Sequence, residues 1–411
     1  MKIIKLFLKI LVGENYVTEF SIYLKRIKYF FNKIFRNETN KYTSKKVKIL
    51  RIKDSDVFFG YYDVSPFSNS SKIILANSHD GSENLDIGYF FKKEDCFTFK
   101  KVNSTKSWNF QMGCRLQWSN KKSNTIFYND YFDNKYCTIE FDLNNDKIIN
   151  EFQRPVYDQA ANGEFFLSLD FNRLARLRPG YGYNNMCDTS QNQFIPNNNG
   201  IWFVNLNNRT EKLLFSVKEI ADFTDFHDGE QYFNHIMISP ESDKFIFFHI
   251  SNINDKRSIR LLVYSFNDNK YKVINNSGHV SHCNWIDNNR FIAYATDNKL
   301  GTGFIIYDLS KGEIKKNIIT NKLMRKDGHP SYYKSEDSFI IDTYPDKFGE
   351  QTLYKYNLSN DKVEIITKES LPARYYGETR CDLHPRLDKD EKLICIDTIL
   401  DNQRIMKIIN L

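Results

Sequence analysis

The sequence has no apolar run of the roughly 20 residues that a membrane-spanning helix needs. Near its start, Lys2, Lys5 and Lys9 interrupt the apolar residues, and no small-residue cleavage site follows, which disfavours a secretory signal. The seven cysteines are an odd number without close pairing, a pattern typical of a reduced compartment. Because several of them lie in predicted strands, we predict no cysteine to be a metal ligand or a nucleophile.

Net basic charge is absent from most of the chain. Residues 1–48 hold 12 Lys and Arg against three acidic residues, a net charge of +9. The whole chain carries +7, so residues 49–411 carry −2. A domain that binds nucleic acid usually carries a basic patch of its own. The slightly acidic body therefore argues against nucleic acid as a partner.

What the sequence does contain is a repeat. Seven segments share a short stretch that runs into a polar turn and then into an apolar, β-rich strand. A period of roughly 40–55 residues with four predicted strands per repeat is typical of a β-propeller. We predict an all-β, seven-bladed β-propeller over residues 46–411. The segments are GYYDVSPFSNSSKIILA from Gly60, CRLQWSNKKSNTIFYN from Cys114, VYDQAANGEFFLSLDF from Val156, NHIMISPESDKFIFFH from Asn234, SHCNWIDNNRFIAYAT from Ser281, GHPSYYKSEDSFIIDT from Gly328 and LHPRLDKDEKLICIDT from Leu383.

The last repeat needs a fourth strand from elsewhere, because only three are predicted before Leu411. An open sheet edge invites aggregation. Residues 46–54 (KVKILRIKD) alternate as a strand does and precede the first repeat. We predict that they pair with the last strand and close the ring.

Residues 1–45 form a separate predicted segment, a basic amphipathic helical one. Its apolar residues recur at three- and four-residue steps, as on one face of a helix, and basic residues surround them. We predict that residues 1–36 bind an anionic membrane surface, which places the protein in the cytoplasm on the inner face of the cell membrane. A helix packed on the propeller or bound to a partner protein is the alternative. The apolar face comprises Val17, Phe20, Leu24, Ile27, Phe31, Ile34 and Phe35.

One face of the predicted propeller is rich in polar residues. In a propeller, the loops that enter the inner strands share a face with the loops that join the second and third strands. His235, His282, His329 and His384 enter blades four to seven at equivalent places. Such imidazoles could bind a divalent metal or supply a base; alternatively, each one hydrogen-bonds the backbone of a neighbouring blade. We predict that the four histidines converge in one solvent-filled mouth. The same face is predicted to carry Tyr62, Asp63, Arg115, Tyr344, Arg380 and Arg386.

The third repeat contains a long insertion, residues 172–199, between its second and third strands. Arginine binds carboxylates and phosphates bidentately, and tyrosine rings can stack on sugars. We predict that the insertion forms a lid or wall of the site and binds substrate; the alternative is a loop packed over the outside. Its predicted substrate-binding residues are Arg173, Arg176, Arg178, Tyr181 and Tyr183.

The units HIMISPESDKFIFF, GHPSYYKSEDSFIIDT and RCDLHPRLDKDEKLICIDT resemble TolB-type propeller repeats. The entry histidines make residues 55–411 more similar to the oligogalacturonate lyases and, more distantly, to the ulvan lyase propellers. This resemblance implies β-elimination on an anionic, uronate-containing saccharide. It also implies that His282, His329 and His384 bind a metal or the carboxylate, with His235 a candidate base. The glutamine that completes the lyase metal site has no clear counterpart.

Eliminating a uronide requires a cation at the carboxylate, a base for the adjacent proton and an acid at the leaving oxygen. Arg380, Arg386 or a divalent metal, the one cofactor expected, suits the first task, a histidine the second, and Tyr344 or Tyr181 the third. The predicted catalytic residues are His235, His282, Tyr344 and Arg380.

The basic N-terminal segment favours a different enzyme. A glycosyltransferase or related enzyme of capsule or O-antigen biosynthesis would act on a lipid-linked glycan at the membrane and hold a sugar-nucleotide diphosphate. A third alternative is a non-catalytic propeller that binds glycan or protein.

Overall fold

The structure, a computed structural model, describes residues 46–94, 96–254, 256–311 and 313–411. These residues form seven antiparallel sheets of four strands each, the blades of a β-propeller. The predicted fold is thus confirmed. The predicted amphipathic segment, residues 1–45, lies outside the described residues, so the domain boundary next to it stays a prediction.

In each blade the chain runs from the innermost strand outward, and neighbouring strands pair in sequence order except in the last blade. In blade one the strands are β2 (Asp56–Phe58), β3 (Ile73–His79), β4 (Leu85–Lys93) and β5 (Cys96–Thr105), and in blade two β6 (Gln117–Trp118), β7 (Thr125–Phe132), β8 (Lys135–Asp142) and β9 (Lys147–Phe152). Blade three has β10 (Asp158–Gln159), β11 (Phe165–Ser168), β12 (Gly200–Asn205) and β13 (Glu211–Ser216), and blade four β14 (Glu230–Ile238), β15 (Lys244–Ile253), β16 (Lys256–Ser265) and β17 (Lys270–Gly278).

Blades five to seven carry the remaining strands. Blade five has β18 (Val280–Trp285), β19 (Arg290–Asp297), β20 (Gly301–Lys311) and β21 (Glu313–Ile318), and blade six β22 (Pro330–Tyr333), β23 (Ser338–Asp342), β24 (Glu350–Asn357) and β25 (Val363–Ser370). Blade seven has β26 (Arg386–Leu387), β27 (Leu393–Leu400), β28 (Gln403–Asn410) and β1 (Val47–Leu50).

The ring is closed by the strand that precedes the first blade. β1 pairs antiparallel with β28, in the register Val47↔Ile409 to Leu50↔Met406. This pairing confirms the predicted closure and occupies one edge of the last strand. Because the first and last strands share a sheet, the two ends of the propeller hold each other in place.

The polar turns between first and second strands adopt the left-handed backbone conformation that turn residues tolerate. Ser71, Asn124, Ser242, Asp337 and Glu391 have φ between 45° and 62° at these turns. Asn and Asp are favoured in this conformation, and a single residue of this kind lets the strand reverse.

The insertion of blade three begins with a short helix. α1 (Phe171–Leu177) follows β11, and the Asp170 side chain caps its first turn by accepting from the Arg173 backbone N–H. A second helix, α2 (Val217–Phe223), follows β13 and has a capping box formed by Ser216 and Glu219. Three single turns of 3-10 helix lie at Leu323–Arg325, Lys334–Glu336 and Gly377–Thr379.

No helix in the described part of the chain is long and apolar enough to span a membrane. The seven cysteines are free, and five of them are buried. Burial raises the pKa of Cys137, Cys381 and Cys395 to about 12, so these thiols stay protonated near neutral pH.

Candidate functional site

Four imidazoles from four successive blades meet near the axis of the ring. The ring centroids of His282 and His329 are 4.0 Å apart, those of His329 and His384 4.3 Å, and those of His235 and His282 5.9 Å. The ring of Tyr61 lies within 5.0 to 6.4 Å of all four. We call these five residues, with Tyr344, the histidine pocket.

A left-handed backbone conformation turns two of these histidine side chains towards the axis. His235 has φ 51° and lies where the register of β14 against β15 shifts. His384 has φ 46° at the corresponding point of blade seven, and Arg115 has φ 55° in blade two. A non-glycine residue in this conformation is uncommon and is held there by the surrounding fold. The shared conformation reflects the equivalence of the repeats.

Two histidines are oriented so that one ring nitrogen has no partner. The Nδ1 of His329 donates to both carboxylate oxygens of Asp342 at 2.9 and 3.0 Å. The Nδ1 of His384 donates to the Gly60 carbonyl oxygen at 2.7 Å. The Nε2 atoms of both rings are buried and have no hydrogen-bond partner among the described residues. A histidine fixed through Nδ1 with a free Nε2 is the arrangement of a metal ligand.

An aspartate completes a group that could hold a metal ion. Ligand atoms of His329, His384 and Asp382 lie within 4.8 Å of one another, and all three residues are buried. The Asp382 carboxylate accepts hydrogen bonds of 2.6 to 2.9 Å from Arg380, which fixes its orientation. The group differs from the predicted set, which had His282 in place of Asp382.

His282 is held differently. Its Nδ1 lies 3.0 Å from Asp327 Oδ1, and its Nε2 lies 3.5 Å from the Tyr344 hydroxyl. The three side chains therefore form a chain from a carboxylate through an imidazole to a phenol. Asp327 carries no signal in the sequence, because it lies before a blade entry rather than at a repeated position.

Burial decides the charge of most of these rings. It lowers the pKa of His235, His282 and His384, and neighbouring histidines or arginines lower it further. Burial also disfavours the charged form of His329, but the Asp342 carboxylate raises its pKa above the usual value. Three of the four rings are thus neutral near pH 7 and have a lone pair for a proton or a metal.

Two loops meet above the histidine pocket. A Cβ on Gly180 would lie 3.3 Å from the Cα of Glu378, so the insertion of blade three touches the loop that leads into blade seven. Below this contact the Tyr181 ring meets Tyr61 edge-on at 6.0 Å, and the Arg380 guanidinium lies 4.6 Å from the centre of the Tyr344 ring. We call the two loops, residues 178–183 and 376–380, the cover.

The cover changes one expectation. His282, His329 and His384 are only 3%, 1% and 2% exposed, whereas the sequence predicted an open, solvent-filled mouth. That prediction is wrong, because residues 178–183 and 376–380 lie across the opening. His235 alone of the four histidines is partly exposed.

Part of the insertion anchors it rather than facing the pocket. The Arg173 side chain is 1% exposed, and its guanidinium donates to the carbonyl oxygens of Gln231, Gln193 and Phe194. Arg176 pairs with Asp188 at 2.7 Å and with Glu230. These contacts use the donors that were predicted to bind substrate, so the structure assigns both arginines to the anchoring of the loop.

Tyr183 also belongs to this anchor. Its ring stacks on Phe171 at 4.5 Å, and its hydroxyl accepts from Asn129 at 2.9 Å. Arg178 and Tyr181 are the predicted insertion residues that remain at the pocket, with the Arg178 guanidinium 4.9 Å from the centre of the Tyr181 ring.

Four other predicted substrate-binding residues are engaged in links between blades. Arg115 pairs with Asp63 at 2.9 Å, and both side chains are buried. Arg386 pairs with Asp397 at 2.8 Å and donates to the Gly60 carbonyl oxygen. The Tyr62 hydroxyl donates to the Cys283 carbonyl at 2.8 Å and accepts from the Cys283 N–H at 2.9 Å, which ties blade one to blade five across the axis.

No known family model matches this sequence, and a search of curated proteins finds no significant relative. Solved structures do resemble it. An oligogalacturonate lyase in complex with manganese superposes with a TM-score of 0.63 at 13% identity, covering 91% of this chain and 96% of the lyase. The oligogalacturonate lyase from Vibrio parahaemolyticus gives 0.60 at 13% identity, with coverage of 91% and 96%.

A chain of the mitotic checkpoint complex gives a TM-score of 0.52 at 10% identity and covers 92% of this chain and 97% of its own length. At such identities the likeness concerns the fold. The resemblance to oligogalacturonate lyase propellers is confirmed at that level: this chain folds as a seven-bladed propeller of that kind.

Proposed function

We propose that this protein is a carbohydrate-active enzyme that cleaves an anionic, uronate-containing saccharide by β-elimination in the histidine pocket. The observation that carries the proposal is the pair of buried, unpartnered Nε2 atoms of His329 and His384 beside the carboxylate of Asp382. Leaving such atoms unsatisfied costs free energy, so a ligand that fills the space between them is favoured.

The residues fit a divalent metal ion. His329, His384 and Asp382 offer two imidazole nitrogens and a carboxylate oxygen, ligands that suit Zn²⁺, Mn²⁺ and similar ions. The oligogalacturonate lyase with the similar fold was solved with manganese, which supports the same ion here. When bound, such an ion would neutralise the substrate carboxylate and make the neighbouring C–H bond more acidic.

His235 is our candidate for the base. It is partly exposed, and burial together with neighbouring positive charge keeps its pKa low, so it is neutral at pH 7. Its ring nitrogens lie 3.4 and 3.5 Å from the Tyr61 hydroxyl, which orients the ring. His235 would take the proton from the carbon next to the carboxylate. The electron pair of that C–H bond then forms the double bond as the C–O bond to the leaving sugar breaks.

Tyr344 is our candidate for the acid at the leaving oxygen. Its hydroxyl lies 3.5 Å from His282 Nε2, and Asp327 holds the other nitrogen of that ring. A proton given to the leaving sugar can therefore be replaced through His282. Arg380 is bound to Asp382 through its Nε and Nη2, so its part is to hold Asp382 and to lie over Tyr344. Arg178 would hold the substrate carboxylate, because its guanidinium lies against the Tyr181 ring and forms no ion pair among the described residues.

The test uses full-length protein and a panel of uronic-acid oligosaccharides. Elimination creates a double bond conjugated with the carboxylate, so product formation raises ultraviolet absorbance. We expect His235→Ala and Tyr344→Phe to lower the rate at least about a hundredfold, the usual effect of removing a general acid or base. His227→Ala is the matched control, because His227 is exposed and its partner in the described part of the chain is the exposed Asp222. The absence of product from every uronide would refute the proposal.

The metal is tested separately by elemental analysis. Full-length protein should retain about one divalent ion per chain, and His329→Ala and Asp382→Asn should lose it, whereas His227→Ala should not. Loss of the ion does not depend on knowing the substrate. Equal metal content in all three variants would exclude this group as the binding site.

A biosynthetic activity is the second candidate, and the net charge of +9 on residues 1–48 favours it. A glycosyltransferase of capsule or O-antigen assembly would use the same pocket for a sugar nucleotide diphosphate, with its lipid-linked acceptor at an anionic membrane bound by residues 1–36. Release of a nucleotide from a sugar nucleotide, with no absorbance from any uronide, would favour this activity over elimination. Binding of glycan without turnover would indicate a binding propeller.

A further inference from the structure

A second cavity lies on the turn side of the ring, away from the histidine pocket. It has a volume of about 510 Å³ and is lined by residues of blades one, two, three and seven. None of the four histidines lines it. Tyr62, whose hydroxyl crosses the axis to Cys283, directly precedes its first lining residue, Asp63. We call it the turn-side cavity, and its volume lies in the range of small-molecule sites.

A buried polar group in this cavity lacks a partner. The Gln159 side chain is 6% exposed, and its Nε2 donates to Gln117 Oε1 at 2.9 Å and to the Trp118 carbonyl oxygen at 3.1 Å. These bonds fix the amide, so the Oε1 atom cannot turn away, yet it has no hydrogen-bond partner among the described residues. A buried acceptor of this kind favours a ligand that donates a hydrogen bond.

Most of the charges around the cavity have a nearby counter-charge. Asp63 pairs with Arg115 at 2.9 Å, and Lys122 pairs with Glu140 at 2.7 Å. Asp158 accepts from the Ile238 N–H at 2.7 Å, and burial raises its pKa to about 7, so near neutral pH it can carry a proton and donate. The Asp388 carboxylate accepts from the Ser71 hydroxyl and from the Lys392 and Leu393 N–H groups, and the adjacent Lys389 carries the opposite charge. A charged ligand would therefore find little net counter-charge here. The other lining side chains are mainly hydroxyls and amides, which hydrogen-bond neutral groups.

Two aromatic residues, Phe67 and Trp118, line the same cavity. Trp118 is half-buried, and its Nε1 donates to the Pro66 carbonyl oxygen at 2.9 Å, which fixes the ring. A ligand that combines an apolar face with several hydroxyl groups would match both the ring and the hydroxyl and amide lining. Sugars have this combination. We propose that the turn-side cavity binds a neutral sugar unit, as a saccharide site separate from the histidine pocket.

The proposal does not depend on the chemistry of the histidine pocket, since the turn-side cavity and the histidine pocket lie at opposite sides of the ring. A protein with both sites could hold one part of a heteropolymer or a second chain while the other part is processed. Because the sites lie at opposite sides of the ring, the neutral sugar bound here would belong to a second chain or to a distant part of the same polymer.

The experiment measures binding of neutral mono- and disaccharides to full-length protein by calorimetry and by saturation-transfer NMR, at millimolar sugar. We expect one neutral saccharide per chain to bind. Asn69→Trp, at an exposed lining position, should block the cavity, and Gln159→Leu should remove the free acceptor. Each should weaken binding at least about tenfold, the effect of losing a well-placed hydrogen bond or the space for the ligand.

Two controls separate this site from others. Asn289→Trp places the same side chain on an exposed turn of blade five and should leave binding unchanged, as should His384→Ala in the histidine pocket. If Gln159→Leu does not fold, the binding measured for Asn69→Trp alone tests the proposal. The proposal is overturned if no neutral saccharide binds, if Asn69→Trp binds as well as the wild type, or if His384→Ala abolishes binding.

Discussion

At the residue scale, the pocket is fixed by carboxylates at the ends of second strands. Asp342 at the end of β23 accepts from the backbone N–H groups of His329 and His384 at 2.7 and 3.0 Å. Asp397 in β27 accepts from Phe59 and Gly60 in the same way, at 3.1 and 3.3 Å. The two aspartates hold equivalent repeat positions. The same kind of carboxylate-to-backbone hydrogen bond therefore joins blade six to blade seven and blade seven to blade one.

The hydrogen bonds that Asp342 accepts lead to a prediction about stability. Asp342→Asn should lower the free energy of unfolding by about 1–3 kcal/mol, because both carboxylate oxygens accept from N–H groups and an amide NH₂ would face one of those donors. Asp287→Asn, at a half-exposed ion pair with Arg290, is the control and should change stability by less than about 1 kcal/mol. Denaturant unfolding measures both, and equal midpoints would contradict the role given to Asp342.

Asp158 gives a pH-dependence prediction. Its pKa is raised from 3.8 to about 7: burial has the largest effect and raises it, the Ile238 N–H lowers it, Asp63 raises it and Arg115 lowers it. Between pH 4 and 7 the native state thus holds a proton that the unfolded state has released, and the contribution of Asp158 to stability falls as pH rises. Asp158→Asn should remove this fall and stabilise the protein at pH 8 by about 1–3 kcal/mol.

The measurement is thermal unfolding of the wild type and of Asp158→Asn between pH 4 and 8. Asp390→Asn is the control, because Asp390 is exposed. Parallel curves for wild type and Asp158→Asn would show that Asp158 is ionised in the native state throughout this range.

Sequence could predict some site residues and not others, for a physical reason. His235, His282, His329 and His384 hold equivalent repeat positions, and symmetry forces such residues towards one axis. Arg173 follows no repeat, and its residue type does not tell whether its donors will bind substrate or, as here, the carbonyl oxygens of its own loop.

At the element scale, the closing strand can be tested with proline. The Asn410 N–H donates to the Lys46 carbonyl oxygen, so in this register the N–H of Lys48 faces β28 and that of Ile49 faces outward. Lys48→Pro should destabilise the protein by about 1–3 kcal/mol through the lost ladder hydrogen bond and local distortion. Ile49→Pro, on the free edge, should cost clearly less. Equal melting temperatures would mean that β1 does not hold the ring.

The cover can be tested with a pair of glycines. Gly182 has φ 71°, and a Cβ there would overlap the Phe171 carbonyl oxygen and lie 2.7 Å from the Ala175 nitrogen. Gly81 has φ 95° with open space around it. Both alanine variants carry the backbone strain of a positive φ, but Gly182→Ala must also shift the insertion.

We therefore expect Gly182→Ala to cost about 1–3 kcal/mol more in unfolding free energy than Gly81→Ala. It should also lower activity on uronides, because Tyr181 directly precedes Gly182 and its ring packs on Tyr61. Equal stability of the two variants would show that residues 178–183 adapt without displacement, and the cover would then be loosely held.

The insertion shows which structural elements the sequence could predict and which it could not. Its length and its departure from the repeat predicted a lid or wall, and residues 178–183 do lie over the pocket. The helix α1 and the loop 376–380 that meets the insertion were not predicted, because the contact of Gly180 with Glu378 joins blades three and seven and leaves no local pattern in the sequence.

At the scale of the whole molecule, the ring is symmetric in backbone and asymmetric in chemistry. Blades four to seven place histidines at the axis, whereas blades one to three place Tyr62, Arg115 and Tyr157 there. These three side chains contact backbone groups, each other, Asp63 or Asn234. Strand count, order and closure follow from local patterns repeated seven times, which is why sequence predicts them. Which side of the ring is reactive depends on single residues in each repeat.

The N-terminal segment decides whether this propeller works at a membrane. Residues 1–36 are expected to bind anionic vesicles, with affinity falling as salt rises, because part of the attraction is between basic residues and lipid headgroups. Replacing Phe20, Ile27 and Phe31 by Ser should abolish binding, since these residues share the predicted apolar face. Ile22→Ser with Tyr29→Ser, on the opposite face, should leave it largely intact. Vesicle co-sedimentation measures both, and binding that is absent or insensitive to salt would indicate a partner protein or the propeller itself as the surface that this segment contacts.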